Sequence, residues 1–440
     1  MPISDPQSAV RIGIAGIGNV GAGVVTLLDT NAALIARRAG RPIVVTAVSA
    51  RDRNRVRKVD LAGYAWVDDA TELANRDDVD VVVELVGGSD GPALALARRT
   101  LGAGKALVTA NKAMLAHHGL DLAVLAEMNG AALGYEAAVA GGIPVVKGLR
   151  EGMAANRIAR VYGLLNGTCN YILTRMEAAR LDFGTVLAEA QAAGYAEADP
   201  SFDIDGTDTA HKLSILAALA FGARIDFGAV ATHGIRAVAL ADIDEAAALG
   251  FRIKLVGLAE NEGGMLFQRV HPALVPHDHP LAAASGALNA IVAEGDFVGR
   301  LLFQGRGAGE GPTASAVVAD LIDIARGITG HPFGMPVASL AILPTTDSAA
   351  RKGRYYLRLT VADRPGVLAE LTAALRDHGV SIESLIQRAP SVTENAVGAD
   401  AMVVMVTHVA GEAQVLASLA QMERSDAVTG SPVMMHILDF

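Results

Sequence analysis

The feature that narrows the fold most is Gly16-Ile17-Gly18-Asn19-Val20-Gly21, a G-x-G-x-x-G run placed directly after the apolar segment Val10 to Ala15. Helical spacing from Val20 to Leu34 follows it. A strand that ends in a glycine turn and feeds a helix is half of a βαβ unit, where the glycines permit a tight turn and let a pyrophosphate approach the helix N-terminus. A glycine-rich turn with no ligand is the competing reading. Further apolar, β-branched runs at Ile43 to Val48, Val79 to Val86 and Ala106 to Thr109 are separated by helical stretches such as Pro92 to Ala103. That alternation predicts an α/β architecture, a doubly wound parallel sheet of the Rossmann type with helices on both faces.

After about Ala131 the rhythm changes. Gly/Ala-rich turns, the run RVYGLLNGTCNYIL, two helical stretches between Phe183 and Phe221, and strand-like runs between Val230 and Val270 predict a second domain of mixed α+β type. GRGAGEGPTA, from Gly305, precedes an amphipathic run Ala314 to Arg326, a loop feeding a helix that is expected to return to the first domain. HPFGMPVASLAILPTTDSAARKG lacks periodicity and reads as a crossing and linker. From Arg354 the pattern is β-α-β-β-α-β, a ferredoxin-like split arrangement with Gly379 closing its first helix. The expected division is 1–135 for the Rossmann domain, completed by about 305–335, then 136–304, a linker 336–353 and a terminal unit 354–440.

With 440 residues, 51% hydrophobic and 19% charged, the chain can bury a sizeable core, and roughly 150 residues per domain suggests about three domains. A net charge of −10 weighs against a general nucleic-acid or anionic-membrane binder and favours small-molecule partners. The single cysteine, Cys169, excludes an internal disulfide framework and a cysteine-cluster metal site and suits a reducing compartment, with the cytoplasm as the default. The start MPISDPQSAVRIGIAG lacks a basic segment followed by a long apolar one, and no uncharged apolar run of about 18 residues follows, so neither export nor a membrane span is expected.

Several residues carry candidate chemistry. After the second strand, where an acidic residue would bond a ribose 2′-OH, the chain offers Arg51, then Arg53, Arg55, Arg57 and Lys58. A 2′-phosphate matches them, and a solvated basic loop is the alternative. Thr109-Ala110-Asn111-Lys112 follows a parallel strand, so Lys112 is placed to meet cofactor or substrate unless it is a surface lysine opening the next helix. The densest polar cluster runs from Glu197 through Asp199, Asp203, Asp205 and Asp208 to Lys212. Asp208 and Lys212 are four apart and share a helix face, and the apolar run beyond can desolvate the ammonium and lower its pKa. Such a lysine exchanges a proton with a carbonyl oxygen while hydride moves at carbon; an ordinary i,i+4 salt bridge is the bland reading. Cys169, with His211 or His233 as base, supports a rival in which a thiol attacks an aldehyde, against the reading of a small core residue. His277-Asp278-His279 reads as a polar turn rather than a metal site.

Together GIGNVG, TANK at 109–112, YEAAVAGGIP at 135–144, LNGTCNYIL at 165–173, AGYAEADPSFDIDGTDTAHKL at 193–213, GAGEGPTA at 307–314 and the C-terminal split unit closely resemble homoserine dehydrogenase with an appended ACT domain. The resemblance spans nearly the whole chain, and the block ending in Lys212 is its most specific element. It implies NAD(P)-dependent interconversion of L-aspartate 4-semialdehyde and L-homoserine, toward threonine, methionine and isoleucine, with NADP(H) preferred and NAD(H) possible. By the same resemblance Lys212 donates the proton to the aldehyde oxygen, Asp208 and Glu197 partner the substrate's amino and hydroxyl groups, Gly194 lies beside the substrate, and Asp203 shapes the site. Lys112 belongs to the cleft shared by cofactor and substrate, and Gly309 touches the nicotinamide end. The glycine run, Arg51 and Thr109 complete the expected cofactor set.

YEAAVAGGIP is similar to a family turn that holds a monovalent cation, usually sodium, through main-chain oxygens at positions matching Glu136, Val139, Gly141 and Ile143. Cys169 occupies the variable place of the family's NGTTNY or NGTSNY, which argues against thiol catalysis. Asp363, Pro365 and Gly366 stand where ACT domains meet amino-acid ligands, so threonine feedback is implied, with a purely dimerising role as the alternative. A homodimer or homotetramer is implied as well. The rivals are a phosphorylating semialdehyde dehydrogenase using Cys169 and a non-catalytic amino-acid sensor.

Overall fold

The structure, a computed structural model, describes residues 8–388 and 400–439; residues 1–7, part of the segment read for a leader, lie outside the described residues. Six parallel strands form the first sheet: β1 (Val10–Ala15), β2 (Ile43–Ser49), β3 (Ala65–Trp66), β4 (Val81–Glu84), β5 (Ala106–Thr109) and β6 (Leu133–Gly134), in the order β3-β2-β1-β4-β5-β6. β4 is buried along its whole length, as a strand covered on both faces must be. The order reverses direction between β1 and β4, and the glycine turn sits at this switch point, where open α/β sheets bind ligands. The helical stretch read as continuous from Val20 divides at Asn31 into Asn19–Thr30 and Ala32–Ala39, which meet at 83°. The expected return is present: helix Glu310–Ala325 packs so closely on Asn19–Thr30 that a Cβ on Gly23 would lie 2.8 Å from Glu310 Cγ. Among the described residues no single helix is long and apolar enough to cross a membrane.

The second sheet is built from β7 (Ile158–Leu164), β8 (Ala231–Thr232), β9 (Phe251–Glu262), β10 (Met265–Pro276), β11 (Leu288–Gly295) and β12 (Gly299–Arg306), with helix Thr207–Phe221 packed on β7 and β9 and helix Gly167–Ala179 on β9 and β11. The C-terminal unit follows the expected order. After the short β13 (Lys352–Gly353) come β14 (Tyr355–Ala362), helix Val367–Asp377, β15 (Ile382–Arg388), β16 (Asp400–Thr407), the short β17 (Ala410–Gly411), helix Glu412–Met422 and β18 (Val433–Ile437). Its sheet is not separate, because β18 pairs in parallel with β10 through Ala273 with His436 and Leu274 with Ile437. The result is one ten-stranded sheet, β12-β11-β7-β9-β10-β18-β14-β16-β15, with β8 beside β10.

The stretch read as a linker is docked along both sheets. Glu127 on the first unit accepts from the amide of Val337 (3.1 Å) and bonds His331 (2.8 Å), whereas the Leu266 amide of β10 donates to the Pro344 carbonyl (2.8 Å). Pro and Gly broke the periodicity, but Phe333, Val337 and Leu340 are buried.

Candidate active site

The three glycines of the first turn divide into two that packing requires and one that faces open space. Gly16 has φ +98°, and a Cβ there would lie 2.5 Å from the Leu85 carbonyl oxygen; a Cβ on Gly21 would lie 2.2 Å from the Gly16 oxygen. Packing therefore fixes both. A Cβ on Gly18 would meet nothing within 4 Å, and helix Asn19–Thr30 has neither a side-chain cap nor an acidic residue in its first turn. Free amide N–H groups at a positive helix end beside open space fit a pyrophosphate. Ile17, Asn19 and Val20 complete this turn and the opening of its helix.

The basic run beyond β2 divides by role. Arg57 folds back to donate to the carbonyls of Ile17 (3.2 Å) and Asp52 (2.5 Å), Arg53 and Arg57 stack on Trp66, and Lys58 pairs with Glu310 at 2.9 Å. Arg51 is exposed, two residues past the end of β2.

At the ends of β4 and β5 a second network forms. Glu84, fully buried, accepts from the amides of Val86 (2.7 Å) and Gly87 (3.0 Å) and from the Thr109 hydroxyl (2.6 Å). Thr109 Oγ1 in turn accepts from the Asn111 amide, and Asn111 caps helix Lys112–Met128 while its amide group holds the Gly88 carbonyl at 2.7 Å. Lys112 is thus delivered at the first position of a fixed helix. Nothing in the sequence marked Glu84 except its place as the last residue of an apolar strand.

Lys112 crosses to the second unit. Its ammonium lies 2.9 Å from Asp208 Oδ1, and that of Lys212 lies 2.7 Å from Asp208 Oδ2. Lys212 also donates to the Leu165 carbonyl at 2.8 Å. Asn166 completes the cluster: its side-chain oxygen caps helix Gly167–Ala179 by accepting from the Cys169 amide, and its NH2 donates to Asp203 (2.7 Å) and Asp208 (2.9 Å). In the sequence this asparagine stands out only as part of LNGTCNYIL. An Asn before a helical run is the signal of an N-cap, but its second function depends on residues 37 and 42 positions away.

The charges set one another. Burial alone would raise the Asp208 carboxyl, but Lys212 and Lys112 override it and hold the group below the ordinary carboxylate range. Lys212 is buried, and its pKa is lowered by desolvation first and by the neighbouring Lys112 cation next, against the pull of Asp208. Asp203 is raised by burial and by the Asp208 charge. A buried ammonium of lowered pKa, tied to a carboxylate that also meets the lysine following β5, can give up and regain a proton.

Glu197 and Gly194 stand apart from this cluster. Both are exposed in the turn after helix Phe183–Ala192, with Gly194 at φ +77°; Lys112 is raised against its burial chiefly by Asp208, and the Glu197 charge adds a smaller pull. The same turn is pinned by Thr168, whose hydroxyl donates to the Tyr195 carbonyl, and by the stacking of Tyr171 on Tyr195. The thiol reading of Cys169 fails physically. The residue is buried, its sulfur donates to the Asp203 carbonyl at 3.3 Å, and burial together with Asp203 and Asp208 pushes its pKa well above the usual value. His211 sits among His117, Phe202 and Phe227 and is pushed down to about 4 by burial, and His233 is exposed beside β10. His279 bonds Tyr162 and the Leu281 amide and His277 the Phe251 carbonyl, as a polar turn would.

The turn 136–143 is braced from both sides. Glu136 accepts from the amides of Val146 and Lys147 at 2.9 Å each and is pushed up to about 7 by burial and Asp320, whose carboxylate takes the Glu136 amide. Ala140 (φ +57°) and Gly141 (φ +51°) are left-handed, and a Cβ on Gly141 would lie 2.5 Å from the Gly307 oxygen, so Val139 to Ile143 presses against the second glycine loop. Gly309, at φ +121°, opens helix Glu310–Ala325 there. Among the described residues no group of three or more His, Cys, Asp or Glu side chains is placed to hold a metal ion.

Residues 16–136 match the family model for the homoserine dehydrogenase NAD-binding domain, 144–322 match homoserine dehydrogenase, and 355–424 match the ACT domain. The chain belongs to the homoserine dehydrogenase family. It is 42% identical over 435 residues to a homoserine dehydrogenase of Pseudomonas aeruginosa, covering 97% of this chain and 98% of that one. It resembles the crystal structure of a homoserine dehydrogenase from Thiobacillus denitrificans with a TM-score of 0.92 and 40% identity, over 98% of this chain and 99% of that one. A hyperthermophilic archaeal homoserine dehydrogenase solved in complex with NADPH matches 72% of this chain and 98% of its own, at 26% identity and a TM-score of 0.62. The protein is therefore an NAD(P)-dependent oxidoreductase of the homoserine dehydrogenase type carrying an ACT domain. Neither the phosphorylating dehydrogenase nor the non-catalytic sensor is supported.

Proposed function

We propose that this homoserine dehydrogenase reduces L-aspartate 4-semialdehyde to L-homoserine with Lys212 as the proton donor. The observation that carries this reading is the sharing of Asp208 by Lys112 and Lys212, with Asn166 fixing both Asp208 and Asp203. A bound nicotinamide supplies hydride to the carbonyl carbon. The turn Gly16 to Gly21 holds its pyrophosphate, Thr109 and Gly309 line the cleft, and Arg51 takes a 2′-phosphate, which favours NADP(H) over NAD(H). Lys212 gives its proton to the oxygen that gains charge as hydride arrives, and Asp208 keeps the ammonium oriented. Asp208 and Glu197 receive the substrate's polar groups, Asp203 shapes the pocket and Gly194 leaves room beside it.

Sodium at the carbonyls of Glu136, Val139, Gly141 and Ile143 fits the chemistry of the turn, since neutral oxygens suit a monovalent cation. Threonine is the proposed effector of the ACT unit. There Gly366 (φ +95°) opens helix Val367–Asp377 without a side-chain cap beside a cavity of about 500 Å3 that Asp363 and Pro365 line. The proposed setting is a cytoplasmic homodimer or homotetramer in threonine, methionine and isoleucine synthesis, with units 1–135 plus 305–335, 136–304 and 354–440 joined by 336–353. The test is NADPH oxidation with aspartate semialdehyde, with and without threonine. Turnover lost in Lys212→Ala with cofactor affinity retained supports the donor role, and a variant that keeps most of kcat removes it.

A further inference from the structure

At the carboxyl end of the first sheet three strands finish side by side. β4 lies between β1 and β5, and its last residue, Glu84, is in register with Ala15 on one side and Thr109 on the other. Ala15 leads into the glycine turn and Thr109 into Lys112. Glu84 therefore stands between the turn that fits a pyrophosphate and the lysine that meets Asp208.

The Glu84 side chain is fully buried and forms no ion pair among the described residues. Burying a carboxylate without a cation costs free energy that an apolar residue at this strand end avoids. What an acceptor-only group supplies in return is direction, and each oxygen serves a different loop. Oε2 accepts from the Thr109 hydroxyl at 2.6 Å. With its O–H committed there, the Thr109 oxygen is left to accept from the Asn111 amide (3.0 Å), and Asn111 caps the helix that begins at Lys112.

Oε1 holds a loop that wraps the glycine turn, by accepting from the amides of Val86 (2.7 Å) and Gly87 (3.0 Å). Beside them the Leu85 amide donates to the Ala15 carbonyl at 2.8 Å, and a Cβ on Gly16 would lie 2.5 Å from the Leu85 oxygen and 3.0 Å from the Val86 nitrogen. Gly87 is left-handed at φ +81°, and a Cβ there would meet nothing within 4 Å, so this backbone borders open space. The loop is also tied back to the helix of Lys112. The Asn111 NH2 donates to the Gly88 carbonyl at 2.7 Å, and His118 bonds Asp90 at 2.9 Å.

We propose that Glu84 is a positioning residue that sets Lys112 against Asp208 and loop 85–90 against the glycine turn as one body. This rests on the reading of Lys112 and Lys212 as the lysines of the reaction, and adds a residue that acts only through others. When Glu84 lets go, Lys112 withdraws from Asp208, Lys212 loses a neighbouring cation, and its pKa rises.

Two variants separate the arms. Glu84→Gln keeps an oxygen for the two amides but turns an NH2 toward Thr109, whereas Glu84→Met removes both arms; melting curves show whether each folds, and Glu84→Gln suffices alone. Deuterium exchange of the nucleotide-free chain is followed in peptides covering 85–90 and 109–116. Exchange at 109–116 is expected to quicken by about tenfold in Glu84→Gln, as for the loss of one buried hydrogen bond, and at both segments in Glu84→Met. The second readout is kcat for semialdehyde reduction against pH at saturating NADPH. Its alkaline limb moves upward by about half a unit or more in Glu84→Gln, and Glu84→Gln combined with Lys112→Met gives the limb of Lys112→Met alone. Unchanged exchange at 109–116, a limb that stays in place in Glu84→Gln, or a double variant whose limb departs from that of Lys112→Met overturns the proposal. A limb that stays in place in Lys112→Met itself fails the catalytic reading too, and that single variant identifies the case.

Discussion

Replacing Lys112 with Met should move the alkaline limb of the reductive pH profile upward. Lys112 and Lys212 approach opposite oxygens of Asp208, at 2.9 and 2.7 Å. Two ammonium groups sharing one carboxylate lie on the order of 6 Å apart, and at an effective dielectric of about 20 their repulsion is roughly 3 kcal/mol. The Lys112 side chain is 33% exposed, and screening by water and salt cuts this to about half, or one pKa unit. Burial is the larger reason that Lys212 is lowered, and the Lys112 charge is the part a substitution can remove. A proton donor works while protonated, so reduction slows as pH rises through the Lys212 pKa. Without Lys112 that pKa rises, and the fall in kcat shifts to higher pH by about one unit. The assay is kcat for semialdehyde reduction against pH at saturating NADPH, with Lys112→Arg as the charge-preserving control. A limb that stays in place or moves to lower pH in Lys112→Met refutes the electrostatic assignment.

Asp208→Asn leaves two cations without their shared carboxylate and should cost about 3–5 kcal/mol in urea unfolding at neutral pH. Because the folded Asp208 is held below its ordinary value, its contribution is present above about pH 4 and lost on further acidification, so the gap to wild type must narrow toward pH 3. Asn166→Ala removes a helix cap and the donor to two carboxylates, a loss of about 2–4 kcal/mol, and a change below about 1 kcal/mol would mean that the bridge carries no weight. Iodoacetamide on the folded enzyme should leave activity intact, since Cys169 is buried and its thiol is raised; inactivation traced to that residue would reopen thiol chemistry. Gly21→Ala should lower Tm because its Cβ meets the Gly16 oxygen at 2.2 Å, whereas Gly18→Ala should keep Tm and weaken NADPH binding, and equal effects of the two on Tm would contradict the division of roles.

What could be read from the sequence was whatever local chemistry encodes. The glycine turn, the alternation of strands and helices in the first sheet, the return helix Glu310–Ala325 and the split C-terminal unit all announce themselves within a few dozen residues, through periodicity and turn residues. The Asp208 and Lys212 pair was legible because four residues of helix bring them together. The remainder of the candidate site was hidden by distance along the chain. Glu84 holds Thr109 from 25 residues away, and Asn166 reaches Asp203 and Asp208 across a domain, which no local pattern records. The joining of β10 to β18 was equally silent, since strand partners are chosen by edge availability and burial rather than by composition. The break at Asn31 escaped because apolar spacing continues across it, and only the turn of the axis separates the two helices.

The same separation along the chain has a mechanistic consequence. Lys112 begins a helix that the first sheet fixes through Glu84, Thr109 and Asn111, whereas Asp208 and Lys212 ride on a helix packed against the second sheet. The ion pair between Lys112 and Asp208 is therefore a contact between the unit that holds the glycine turn and the unit that holds the proposed proton donor. Drawing the units apart removes one cation from Asp208 and relieves Lys212 of a repulsion, which raises its pKa and makes it a poorer acid. Closing them restores the lowered value. The acidity of Lys212 thus depends on how firmly the return helix Glu310–Ala325 and the docked strap from His331 to Pro344 hold the two units together.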